Sequence, residues 1–130
     1  MKKLLLLAVL TSVIMSCEKD DTNATPTPTV YDIEGKWLWS PSENRADANT
    51  MYEFADGTRY TYYASANGWT TADWNLLDSS DRIPGTETYT FDEDTLTIDE
   101  TPQVVTFECE GGILNFINGG KIWRLSSDCE

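Results

Sequence analysis

From Tyr31 onward, short runs of alternating apolar and polar residues are separated by turn residues. In one such run, Leu96 and Ile98 fall on one side while Thr95 and Thr97 fall on the other. This period of two is typical of half-buried β-strands. Asp-Gly and Gly-Gly pairs between the runs favour tight turns. The pattern therefore predicts an antiparallel meander.

Runs of this kind predict strands over residues 36–40, 51–55, 58–63, 88–91, 95–99, 104–109, 113–117 and 121–126, with a weaker ninth candidate at 69–76. Eight strands of about five residues with short turns take roughly 80 residues. Residues 31–125 provide that length. We therefore predict an all-β fold, a small closed barrel of eight strands, with an open β-sandwich as the alternative.

The first 16 residues have the pattern of a secretory signal peptide. Lys2 and Lys3 precede an apolar run over residues 4–15, which is shorter than the ~20 residues that span a bilayer. Ile14-Met15-Ser16 then comes directly before Cys17. This ending resembles the lipobox of bacterial lipoproteins. The resemblance implies cleavage before Cys17 and acylation of that residue, which would anchor the chain in a membrane.

Lys19, Asp20 and Asp21 resemble the acidic export tag of Bacteroidetes surface lipoproteins, and the alternative is a solvated leash. The resemblance implies an outer-membrane lipoprotein at the cell surface. The Thr/Pro tract at 22–29 predicts an extended spacer. We therefore expect a signal peptide at 1–16, a lipidated Cys with its linker at 17–30, and one β-domain at 31–130.

The chain is acidic and contains no histidine. Its formal net charge is −13, and loss of Lys2 and Lys3 would make it −15. Such a chain repels nucleic acid, so we expect no nucleic-acid partner. Without histidine the usual general base and imidazole zinc sites are absent. We expect no enzymatic activity, no catalytic residue, no metal and no cofactor.

Two cysteines remain once Cys17 is assigned to lipid. Outside the cytoplasm such a pair tends to oxidise, so we predict a disulfide between Cys109 and Cys129. The last three strands run up, down and up, which leaves the two ends about 9.6 Å apart. This gap is too wide for a disulfide. Residues 126–128 must therefore fold across the edge.

A further resemblance joins the first strand to the last. Gly35-Lys36-Trp37 opens the first, and Trp123-Arg124-Leu125 closes the last. This pair of motifs resembles the lipocalin (calycin) family and its short relatives among Bacteroidetes lipoproteins. The resemblance implies that Trp37 plugs the closed end of an eight-stranded barrel while Arg124 packs across it. Gly35, Trp37 and Arg124 would then stabilise the fold.

The remaining aromatic residues are the candidates for ligand binding: Tyr60, Tyr62, Trp69 and Trp74. Tyr60 and Tyr62 must share one face of their strand, and Tyr63 the other. We expect the polar segment 64–86 to cover the barrel mouth.

Two functions follow from these residues. The first is a membrane-anchored lipoprotein that binds a small apolar or amphipathic molecule. The second is a non-catalytic interaction module of an envelope complex, such as one that handles glycans. A cavity in the barrel favours the first function, and a packed interior favours the second.

Overall fold

The protein forms an eight-stranded antiparallel barrel in a computed structural model that describes residues 29–130. The strands follow chain order around the barrel and β8 closes on β1. They are β1 (Gly35–Trp39), β2 (Thr50–Ala55), β3 (Thr58–Tyr63), β4 (Glu87–Asp92), β5 (Thr95–Ile98), β6 (Thr101–Glu108), β7 (Ile113–Phe116) and β8 (Lys121–Arg124). The predicted closed barrel is confirmed.

Several predictions lie outside the described residues. These are the signal peptide at 1–16, lipidation of Cys17, the export tag Lys19-Asp20-Asp21, and residues 17–28 of the linker. Within residues 29–130, no helix has both the length and the apolarity needed to cross a membrane.

The Asp-Gly hairpin has the predicted turn chemistry. Asp56 and Gly57 join β2 to β3, and both have positive φ, 49° and 75°. Two consecutive positive φ values suit the right-handed twist of the paired strands. The resulting register pairs Ala55 with Thr58 and continues to the pair formed by Thr50 and Tyr63.

Side chains from seven of the eight strands, all except β3, meet in one apolar cluster inside the barrel. Trp37, Phe54, Leu96, Val105, Leu114 and Ile122 are almost fully buried and belong to one contiguous cluster. Partly buried aromatic side chains pack against this cluster: Trp39, Tyr52, Phe91, Phe107 and Phe116. An eight-stranded barrel is just wide enough for side chains to fill it. The interior is thus a packed core.

One end of the barrel is closed as the lipocalin resemblance implies. The Arg124 guanidinium carbon lies 4.3 Å from the centre of the Trp37 ring. Its nitrogens donate to the carbonyl oxygens of Asp32 (2.5 Å), Glu34 (2.8 Å) and Gly111 (3.2 Å). Arg124 therefore joins the start of the domain, the β6–β7 connection and the end of β8.

The chain also enters the barrel at this closed end. The Tyr31 ring lies 5.4 Å from the Phe107 ring and directly against Gly111. A Cβ at Gly111 would overlap the Tyr31 ring, and φ there is +83°. Glycine is therefore required both by the backbone conformation and by the close approach of the ring.

A second apolar cluster lies on the outer face of β1, β2 and β3. Leu38, Met51 and Tyr62 form its row across the three strands, since each pairs directly with the next. Trp74 covers this row and is 1% exposed. Trp69 and Leu77 also pack there. The aromatic residues of segment 64–86 therefore cover the outer wall of the barrel. The expectation that they cover the barrel mouth was wrong.

The weak ninth strand at 69–76 was also wrong. Residues Thr71–Asn75 form a short helix, α1. Thr70 accepts a hydrogen bond from the backbone N–H of Asp73, and the Asp73 carboxylate accepts one from the backbone N–H of Thr70. This reciprocal capping box fixes the helix start.

The predicted disulfide is confirmed. Cys109 and Cys129 are bonded, with 6.2 Å between their Cα atoms. The tail crosses the strand edge as required, and Arg45 holds it there. Arg45 donates to the carbonyl oxygen of Cys129 at 2.7 Å and to that of Leu125 at 3.2 Å.

Candidate functional site

Three side chains from neighbouring strands form a row at the end of the barrel opposite Arg124. We call this end the open end. Trp39 ends β1, Thr50 begins β2 and Tyr63 ends β3. Trp39 pairs directly with Thr50, which pairs directly with Tyr63. Directly opposed residues project from the same face of a sheet, and Trp39 packs against the interior cluster. The row therefore faces inward at the open end.

Tyr52 extends this row deeper into the barrel. It lies two residues after Thr50, so its side chain projects from the same face. The Arg59 guanidinium carbon is 4.5 Å from the centre of the Tyr52 ring, and Arg59 forms an ion pair with Glu87. Burial raises the pKa of Tyr52, and the opposing charge of Arg59 does not reverse this shift. Tyr52 therefore remains a neutral phenol beside a matched pair of charges.

Asn49, Ala64 and Asn67 complete an open cleft of ≈ 470 Å³ over this row. The hydroxyl of Thr50 donates to Oδ1 of Asn49 at 2.9 Å. The backbone N–H of Ala64 donates to the Asn49 carbonyl at 3.0 Å. These two bonds fix the rim of the cleft. The lining consists of three aromatic side chains, two amides, one hydroxyl and one methyl group, without a charged group.

The sequence-predicted ligand residues lie away from this cleft. Tyr62 and Trp74 are buried in the outer cluster, and Tyr60 and Trp69 are half-buried against it. The Trp69 and Trp74 rings meet edge to face, 4.8 Å apart. The structure brings these four residues together as the packing of segment 64–86 on the wall. Their role in binding a ligand stays a prediction.

A polar network adjoins the outer cluster. The Tyr62 hydroxyl donates to the Glu53 carboxylate at 2.5 Å, and Arg82 forms an ion pair with the same carboxylate at 3.0 Å. Burial favours the neutral carboxyl, but the hydrogen bonds from Tyr62 and Arg82 outweigh it and lower the pKa of Glu53. Two effects raise the pKa of Tyr62: burial of its hydroxyl, which is the larger, and the hydrogen bond that the hydroxyl donates to Glu53. This network fastens the end of segment 64–86 to the barrel.

The cations of the described part of the chain all make structural contacts. Residues 29–130 contain six of the nine Lys and Arg residues, because Lys2, Lys3 and Lys19 precede them. Five of the six lie over aromatic rings: Lys36, Arg59, Arg82, Lys121 and Arg124. The sixth, Arg45, holds the C-terminal tail. These contacts involve all the cations of residues 29–130 except Arg45.

Metal-binding groups are not assembled in this region. Between residues 29 and 130, no three His, Cys, Asp or Glu side chains are grouped so that they could hold a metal ion.

Comparison with known proteins gives no match. No family model, no curated protein and no solved structure matches the chain. The open-end cleft is therefore interpreted from its own residues.

Sequence reasoning did not select the aromatic residues of the cleft, although a signal for them exists. Trp39 lies two residues after Trp37, so an inward Trp37 places Trp39 inward as well. Tyr63 lies on the opposite face from Tyr60 and Tyr62 for the same reason. Applying the alternation from Trp37 across the hairpin register identifies Tyr63 as inward.

Proposed function

We propose that this chain is a non-catalytic lipoprotein of the cell envelope that binds a small amphipathic molecule at the open end of its barrel. The packed interior counts against a ligand inside the barrel and by itself favours the interaction function. The observation that carries the binding proposal is the aromatic cleft at the open end. Trp37, Phe54 and Leu114 occupy the space in which a larger barrel would hold its ligand. A concave surface that borders the interior is the cleft over Trp39 and Tyr63.

The N-terminal segment joins the barrel at its closed end. Tyr31 lies at the closed end, against Gly111 and Phe107. Along β1, Gly35 and Trp39 are separated by four residue steps of about 3.3 Å each. An anchor at Cys17 would therefore attach to the end opposite the cleft.

Anchoring is tested with Cys17→Ser. We expect the wild-type chain to incorporate radiolabelled palmitate and the variant to incorporate none. Ala substitution at Lys19, Asp20 and Asp21 should keep the chain in the membrane but remove its protease accessibility on whole cells. Palmitate label that persists in the Cys17→Ser chain would contradict the lipid anchor.

Binding at the open end is tested by titration with a polarity-sensitive naphthylamine dye. We expect saturable binding that Tyr63→Ala weakens. Leu76→Ala is the matched control, because Leu76 is 80% exposed and lies outside the cleft lining. Dye binding that is absent, or equal in wild type and Tyr63→Ala, would refute a site at the open end.

An exposed apolar pair favours a second function, contact with an envelope protein. Val104 and Ile117 are 41% and 66% exposed, and the backbone N–H of Ile117 donates to the Val104 carbonyl at 3.0 Å. They form a small apolar patch on the outside of β6 and the end of β7. A partner of this patch should be lost in Ile117→Asp and kept in Leu76→Asp when complexes are purified in mild detergent. Equal retention in both variants would count against this function.

A further inference from the structure

The open-end cleft combines the three features that recognise an uncharged sugar. We propose that it binds the ring of a neutral saccharide. This inference rests on the proposed function, because it names the ligand class of the same site. The three features are aromatic faces, amide groups and the absence of an uncompensated charge.

The aromatic faces come from two depths of the barrel. Tyr63 is 57% exposed at the rim, while Trp39 and Tyr52 are half-buried below it. A sugar ring has an apolar face of C–H groups that packs on an aromatic ring, much as other apolar groups do. Trp39 and Tyr63 lie on either side of Thr50 in the register, so both rings border one cleft.

The polar groups of the cleft match hydroxyls. Asn49 uses its Oδ1 to accept from Thr50, which directs its amide nitrogen away from Thr50 with two N–H donors. The Asn67 side chain makes no hydrogen bond to another group within residues 29–130, and Asn67 is exposed at the rim. An amide can both donate and accept. Two such amides suit adjacent hydroxyl groups, each of which also donates and accepts.

The charges exclude the acidic ligands that small barrels could otherwise take. A fatty acid or a phosphorylated ligand needs a cation for its head group. Arg59 is a cation that touches the lining, and it is stacked on Tyr52 and paired with Glu87. The acyl chain of a fatty acid would also need an apolar channel, and side chains fill the interior. A neutral sugar ring that lies in the shallow cleft needs neither a cation nor an apolar channel.

The size of the cleft agrees with this ligand class. Its volume of ≈ 470 Å³ lies within the range of about 300–1,000 Å³ that small-molecule sites occupy. Its open form leaves part of a ligand in solvent. We therefore expect one or two sugar units to be in contact.

The test is saturation-transfer NMR on the full chain, purified from membranes in a zwitterionic detergent without a sugar head group. The probes are glucose, galactose, N-acetylglucosamine and their β-linked disaccharides. Glucuronate serves as the charged counterpart of glucose. Hexanol and hexanoate serve as amphipathic probes without a sugar ring. The variants are Tyr63→Ala, Asn67→Ala and the control Leu76→Ala.

We expect saturation of the C–H protons of at least one neutral sugar, with a weaker effect on glucuronate. Tyr63→Ala should weaken the affinity about two- to tenfold, the range given by loss of one aromatic contact. Asn67→Ala should weaken it as well, and Leu76→Ala should leave it unchanged. This result would support the sugar assignment.

Three other results would overturn it. Tyr63-dependent transfer to hexanol or hexanoate alone would refute the sugar class but leave binding at the open end intact. Sugar transfer that is equal in wild type and Tyr63→Ala would place sugar binding elsewhere. No Tyr63-dependent transfer to any probe would refute both the sugar assignment and the proposed binding function.

Discussion

Removal of the Cys109–Cys129 disulfide should destabilise the domain by an amount that the closed loop determines. The two cysteines are separated by 20 residues. The chain-entropy relation for a loop of that length gives about 3.3 kcal/mol at 25 °C. For a domain of this size, each kcal/mol corresponds to about 4–8 °C, so the midpoint of thermal unfolding should fall by about 13–26 °C.

The barrel itself should remain folded after reduction. Arg45 still holds the tail through the carbonyl oxygens of Leu125 and Cys129. The interior cluster contains neither cysteine. We therefore expect the far-UV circular dichroism of the reduced protein to match that of the oxidised protein at low temperature.

The assay is urea unfolding followed by tryptophan fluorescence, with and without dithiothreitol. All samples carry Cys17→Ser, so that this pair supplies the only thiols. Cys109→Ser/Cys129→Ser is the control and should show the lower stability in both conditions. A difference below about 1 kcal/mol between the oxidised and reduced forms would refute the loop-entropy argument, as would an equal response of the control to dithiothreitol.

Three further predictions concern the closed end and the outer layer. Arg124→Met should lower the urea midpoint more than Arg124→Lys, because lysine keeps a cation over Trp37 but lacks the guanidinium fork; equal midpoints would contradict this role. The pKa of Glu53 is lowered on folding, so its contribution to stability is present above the ordinary carboxyl pKa of about 4.3 and is lost as the pH falls through the lower folded value. Unfolding midpoints measured from pH 7 to pH 3 should therefore fall less in Glu53→Gln than in wild type, and parallel curves would count against the network with Arg82. Trp74→Ala should cost about 3–5 kcal/mol in urea unfolding, as for other buried tryptophans, and a cost below about 1 kcal/mol would mean that the outer cluster is not a second core.

The barrel was predictable because its signals are local. Alternation over four to eight residues gives the strands, and the Asp56-Gly57 turn gives a hairpin register. The closing pair was predictable by resemblance, since Gly35, Trp37 and Arg124 stand at the ends of the first and last strands. The disulfide followed from counting the cysteines that remain.

The outer layer was not predicted, because alternation tells which residues share a face but not what covers that face. Trp37-Leu38-Trp39 and Thr50-Met51-Tyr52 are apolar on both sides of the strand. Burial on both faces removes the alternating pattern. That property was itself a sign that something covers the outer wall.

The helix in segment 64–86 also had a signal that was not used. Thr70 and Asp73 have the spacing of a capping box, and Asp78 and Asp81 repeat it. The apolar period of such a short helix is too brief to detect, whereas its cap is visible in four residues. The capping box, and not the apolar periodicity, would have identified residues 71–75 as a helix and not a strand.

The few positive charges of the described residues all make contacts within the fold. Each cation in residues 29–130 has a place against an aromatic ring or a carbonyl group, as Arg45 and Arg124 illustrate. Glu53 and Glu87 form ion pairs, while the acidic residues far outnumber the cations. The positive charges are half-buried and engaged in contacts within the fold, and a cationic ligand at Tyr52 would compete with Arg59. The lining of the open-end cleft itself contains no charged side chain, which agrees with the neutral ligand proposed for it.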